Sequence, residues 1–140
     1  MSYIETAARF DKMQENGAVK KVTEKFLVDA LSFTEAEART IEELTPYISG
    51  EFEASATKKT KIAEILGDKE ADKFYLAKVA FVTIDERTAK EKKTVSQWLI
   101  GGTDFNDAYE MLLREINNCM ADIEIVSLAE TPIKEFYQPK

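Results

Sequence analysis

The sequence predicts an α+β fold, a tandem pseudo-twofold repeat of two β-β-α-β(β) units forming an antiparallel sheet with helices packed on one side. Three observations predict it. Residues 20–36 recur in altered form as residues 92–108, 72 positions later (Lys20 to Lys92). In both copies an alternating stretch runs into a helix start marked by a capping residue. Strand-like segments flank the two helices in the same order.

Residues 3–12 form a short first strand with β-formers at its ends. Asn16-Gly17 follows, a strong hairpin signal because both residues tolerate positive φ. Within residues 19–31, Val22, Phe26, Val28 and Ala30 alternate against Thr23, Lys25 and Asp29, a strand with one buried face. Leu27 and Leu31 fall on the opposite face, which is expected to be partly covered as well. Ser32 with Glu35 three residues later is a capping box, each side chain satisfying an orphan backbone N–H. Phe33, Ala36, Ile41, Leu44 and Ile48 carry the helical stripe onward. Pro46 should distort the last turn and Ser49-Gly50 should end it. Phe52, Ala54 and Ala56 alternate as a third strand, and residues 58–66 fit either a short helix or an edge strand.

Residues 67–73 are polar, contain a glycine and read as a linker. The order then repeats: a strand over 74–85, a polar turn over 86–91 and a strand over 94–102. Asp104 with Asp107 starts the second helix, whose stripe is Phe105, Ala108, Tyr109, Leu112, Leu113, Ile116 and Met120. Residues 122–128 form a strand, residues 131–137 fit strand or helix, and residues 137–140 read as a frayed tail. The register holds from Tyr3/Tyr75 to Ile48/Met120, skips Ser49, and resumes one position shorter through Ile65/Phe136. The 140 residues thus make one domain of two repeats, 3–66 and 74–137, joined by the linker. A half of this size buries too little surface to be comfortable alone. The halves should shield each other, as in a homodimer fused into one chain.

Composition narrows the chemistry. The apolar share of 44% is that of a globular chain. A net charge of −7 opposes non-specific nucleic-acid binding, which needs clustered Lys and Arg. The chain has no histidine, the commonest general base and metal ligand. The single cysteine, Cys119, has no internal partner, which suits a reducing, cytoplasmic setting. The N-terminal residues lack the basic and apolar regions of a secretory signal. No apolar run approaches the roughly 18 to 20 residues that span a bilayer.

No motif carries catalytic chemistry, so neither catalytic residues, metal ligands nor a cofactor are expected. The candidates are ligand-binding ones. Lys20, Lys21, Lys92 and Lys93 sit at the same point of each hairpin, a twinned basic patch for an anion. Gly101 and Gly102 precede a helix start, where a phosphate can approach backbone N–H groups. Trp98, matched by Phe26, is a platform for a base. Each has a plainer role: solubilising charge, a bend at a strand end, a core aromatic.

The runs Gln14-Glu15-Asn16-Gly17 and Lys20-Lys21-Val22-Thr23-Glu24, residues 26–39, and Ile48-Ser49-Gly50-Glu51-Phe52 resemble an uncharacterised family, a domain of unknown function. Its members are small proteins of gut Bacteroidota and their phages, and the resemblance covers nearly the whole chain. It implies a bacterial or phage cytoplasmic protein and transfers no catalytic residue. The expected function is therefore a non-enzymatic binding protein with its ligand or partner site at the junction of the repeats. One form is a phage antagonist that sequesters a nucleotide signal or a host protein. The ligand is then a small anion, no membrane is involved, and a homodimer is compatible. The alternative is a nucleic-acid accessory factor for single-stranded DNA or RNA.

Overall fold

Alternating apolar residues let Ser2–Met13 (β1) and Val19–Ala30 (β2) zip into an antiparallel hairpin from Ser2↔Ala30 to Met13↔Val19. The computed structural model describes residues 2–140. The hairpin turn holds Gly17 at φ +83°, and Asn16 Oδ1 accepts from the Ala18 N–H at 3.0 Å. Glycine takes that backbone conformation at no steric cost. Ser32 caps α1 (Phe33–Leu44), its hydroxyl accepting from the Glu35 N–H at 3.1 Å. The helix ends well before Gly50. Pro46 has no N–H to offer the Glu42 carbonyl, and the Thr45 hydroxyl donates to the Ile41 carbonyl at 2.6 Å. The chain continues through β3 (Glu53–Lys59), β4 (Ile62–Gly67), β5 (Lys73–Ile84) and β6 (Glu91–Gly102). Asp104 caps α2 (Phe105–Asn118), accepting from the Asp107 N–H at 2.8 Å. β7 (Asp122–Glu130) and β8 (Ile133–Tyr137) follow, so both segments left open between helix and strand are strands.

The fold is α+β and mostly strand, with two sheets and two helices. The single antiparallel sheet expected from the sequence is corrected to two four-stranded mixed sheets, ordered β3-β1-β2-β8 and β4-β6-β5-β7. In each, three strands are antiparallel neighbours and the fourth is parallel: β8 along β2, β4 along β6. Connection length explains why the fourth strand comes from the other half. Only Thr60 and Lys61 separate β3 from β4, and only Thr131 and Pro132 separate β7 from β8. Two residues reach about 7 Å. The vacant place beside β2 lies three strands, roughly 14 Å, from β3, and a parallel strand there would have to start at the opposite end of the sheet. A strand supplied by the other half needs no such crossing.

Two compact units result: the chain up to Thr60 with Pro132–Lys140, and Lys61–Thr131. In the first, α1 covers a core of Ile4, Ala8, Phe10, Phe26, Val28, Ala36, Leu44 and Tyr137. A buried polar pair sits inside it, Thr6 Oγ1 to Thr40 Oγ1 at 2.8 Å, with Thr40 also donating to the Ala36 carbonyl at 3.0 Å. In the second, α2 covers Tyr75, Ala77, Val79, Trp98, Ile100, Ala108 and Leu112. Leu27 is fully buried as expected for a second covered face, whereas Leu31 is 72% exposed.

Candidate functional site

A cleft of about 590 Å³ opens in the first unit, lined by Arg9, Phe10 and Asp11 of β1, Lys21 of β2, Ile41 of α1, and Gly50, Glu51, Phe52 and Glu53. Its origin is local. α1 stops at Leu44 and β3 does not begin until Glu53, leaving residues 45–52 between them. The β1–β3 ladder consequently ends at Arg9↔Glu53. Beyond that pair the edge of β1 at Phe10 and Asp11 is not zipped to β3, and the loop carrying Gly50 (φ +101°) swings past it.

In the second unit the strands at the comparable place stay paired. α2 runs to Asn118 and only residues 119–121 precede β7. The β5–β7 ladder carries on through Phe81↔Ile123 and Val82↔Asp122. Lys93 Nζ lies 3.0 Å from a Glu124 carboxylate oxygen, and this hydrogen-bonded partner raises the lysine pKa.

In the cleft the strand register sets Lys21 opposite Asp11 and Arg9 opposite Glu53. Cations and carboxylates therefore alternate across β2, β1 and β3. Neither Arg9 nor Lys21 forms an ion pair among the described residues. Phe10 and Phe52 also line it, but strand alternation turns them to the α1-covered face of the sheet, where they pack with the core, away from Arg9, Asp11, Lys21 and Glu53.

The residues singled out from sequence scatter. Lys21 lines the cleft; Lys20 is exposed opposite Lys12 across the hairpin. Lys92 stands opposite Thr83 and is exposed, and Lys93 is held by Glu124. Trp98 is 3% exposed, its ring edge-on to Phe81 at 6.1 Å, so it presents no open face for a base. Gly101 and Gly102 are buried strand residues of β6. A Cβ at Gly101 would stand 1.8 Å from the Asp68 carbonyl oxygen, so glycine there answers to close backbone packing. At the helix start beyond them, Asp107 Oδ2 already accepts from the Thr103 N–H at 2.9 Å. Arg9, Asp11, Phe52 and Glu53 were not singled out. Their signal was present in the pattern: Pro46 and the unmatched Ser49 mark the one place where the halves differ in length between helix and strand.

A smaller cleft of about 360 Å³ is lined by Asp29, Glu35, Ala38, Arg39, Glu42 and the chain end at Pro139 and Lys140. The end is held rather than frayed. Arg39 Nη1 donates to the Gln138 carbonyl at 2.6 Å, and Lys140 pairs with Glu42, lowering that carboxyl's pKa. Among the described residues no group of three or more His, Cys, Asp or Glu is placed to hold a metal ion. No helix among them is long and apolar enough to cross a membrane.

The architecture is that of an α+β domain with a mixed-charge cleft at an unzipped sheet edge. The chain belongs to the family described as "Domain of unknown function (DUF4494)", whose model matches residues 2–140. No curated protein and no solved structure matches it.

Proposed function

We propose that the chain is a non-enzymatic binding protein that captures a small anionic ligand in the cleft of its first unit. The observation that supports it is that Arg9 and Lys21 both line one cleft and neither forms an ion pair among the described residues, while Lys93 of the second unit is paired with Glu124. Pockets of several hundred Å³ are the size that takes small molecules. The single cysteine favours a reducing compartment, so we place the protein in the cytoplasm.

The same proposal treats the two sheets as descendants of one duplicated half. Matching details support it. Phe26 pairs with Glu135 as Trp98 pairs with Glu64. The Thr60 hydroxyl donates to the Tyr3 carbonyl at 2.7 Å, as the Thr131 hydroxyl does to the Phe74 carbonyl at 2.8 Å. The β1–β3 ladder then ends at Arg9↔Glu53 while the β5–β7 ladder continues through Val82↔Asp122.

A thermal-shift panel of inorganic phosphate, sugar phosphates, and mono-, di- and cyclic nucleotides tests the binding reading. At a hundredfold excess over Kd, binding stabilises by about 2.7 kcal/mol, which should raise Tm by on the order of 5–10 °C. Arg9→Ala or Lys21→Ala should abolish that rise. A flat response across the whole panel would remove the reading. The nucleic-acid alternative has the exposed lysines of the β1–β2 hairpin but lost its aromatic platform with the burial of Trp98. Absence of filter retention of single strands at low salt would end it.

A further inference from the structure

We infer that the cleft receives the C-terminal end of an extended peptide, which adds to the free edge of β1 as a strand. The inference rests on the binding reading above and names the anion as the peptide's terminal carboxylate.

The backbone of β1 supplies the first argument. In the hairpin turn the Gln14 N–H donates to the Ala18 carbonyl at 2.7 Å, so the rungs to β2 fall on the even-numbered residues of β1. The odd-numbered residues turn their backbone groups the other way. The Tyr3 carbonyl accepts from the Thr60 N–H at 2.9 Å, and the Glu5 carbonyl accepts from the Thr57 hydroxyl at 3.0 Å. The ladder to β3 stops at Arg9↔Glu53, whereas β1 continues beside β2 as far as Met13↔Val19. Asp11 and Met13 therefore direct N–H and C=O groups into a lane that no strand of the sheet occupies. An added strand is the ligand that satisfies such groups.

The side chains supply the second. An extended chain sends successive side chains to opposite faces, and the two faces of this lane differ. Phe10, Phe52 and Ile41 lie on the α1-covered face; on the other, the register interleaves Lys21 with Asp11 and Arg9 with Glu53. The occupant thus alternates apolar and charged residues. Set antiparallel to β1, its residue opposite Asp11 stands beside that carboxylate and in line with Glu53, so it is Lys or Arg. The residue opposite Phe10 is apolar and is the last, because Phe52 and Glu53 take up the lane beyond it. Its carboxylate then falls towards Arg9, whose guanidinium accommodates a carboxylate bidentately, and Lys21 adds positive charge nearby.

At the comparable place in the second unit an extended segment does fill the lane. β7 runs on through Phe81↔Ile123 and Val82↔Asp122, Ile123 packs against the α2-covered core, and Glu124 on the opposite face holds Lys93.

Isothermal titration of the full chain with acetyl-Lys-Val-Lys-Val bearing a free carboxylate tests this. The comparison ligands are inorganic phosphate, the C-terminal amide, the peptide N-methylated at its second lysine, and acetyl-Val-Lys-Val-Lys, which exchanges the two faces. The parent peptide should bind roughly 10-fold or more tighter than each of the three altered peptides. Arg9→Ala should bring acid and amide to nearly equal affinity, and Asp11→Asn should weaken the parent. An amide, N-methylated or face-exchanged peptide that binds as tightly as the parent overturns strand addition by a peptide end. Heat with phosphate and none with the parent peptide overturns it too, while leaving anion capture standing. No heat with phosphate or with any peptide overturns both.

Discussion

Thr40 gives its proton to the Ala36 carbonyl and accepts one from Thr6, so the two buried hydroxyls form a closed set. Thr40→Val should cost about 1–3 kcal/mol by stranding the Thr6 hydroxyl, whereas Thr6→Val with Thr40→Val should come back close to the parent. A double-mutant cycle by urea denaturation reads this, and additive losses would refute it. Ala89 is held at φ +53°, a region in which a side chain costs roughly 1–2 kcal/mol. Ala89→Gly should therefore raise the unfolding free energy read by urea denaturation, by about 0.5 kcal/mol once the extra entropy of glycine is counted. Gly101→Ala should do the reverse and cost about 1–3 kcal/mol or more, because its methyl group collides with the Asp68 backbone. Residue roles fixed by chain-local chemistry were legible in the sequence; both helix caps are where Ser32 and Asp104 put them. Roles fixed by what a distant strand brings near were not. Nothing in the composition around Lys21 and Lys93 foretells that one stays free and the other finds Glu124.

β8 joins the first sheet along β2, and its last residue is the best anchored. Tyr137 is 5% exposed, stacks on Phe26 with ring centres 5.5 Å apart, and lies under the Arg39 guanidinium at 5.8 Å. Burial pushes its phenol well above the ordinary value near 10, with Glu135 and Glu43 adding to the rise. The folded state keeps the proton while the unfolded chain loses it above pH 10. The stabilisation is thus whole below that pH and drains away as pH climbs. Tyr137→Phe should flatten the alkaline arm of the stability profile; an unchanged slope above pH 10 would count against it. Strands with clean alternation were visible in advance, and β8 and β4 were not, because short mixed segments fit two periods equally. The two hairpin turns also differ in length, residues 85–90 being one longer than residues 14–18.

At the scale of the molecule, the sequence did not signal that each sheet takes its fourth strand from the other half of the chain, since pattern carries no information about partner strands. A protease site inserted between Lys69 and Glu70 offers a direct check. After cleavage the fragments should co-elute in native buffer and separate in urea, because each sheet contains strands of both. Fragments that part without denaturant would contradict the strand order. The same order sets a timetable at the ribosome. Lys61–Thr131 holds every strand of its own sheet, yet the sheet begun by Ser2 stays one strand short until Ile133–Tyr137 has emerged. At about 5–20 residues per second, the first-made strands wait several seconds with the side of β2 bare. A nascent chain stalled near residue 130 is the form in which that bare side invites a stray strand from elsewhere.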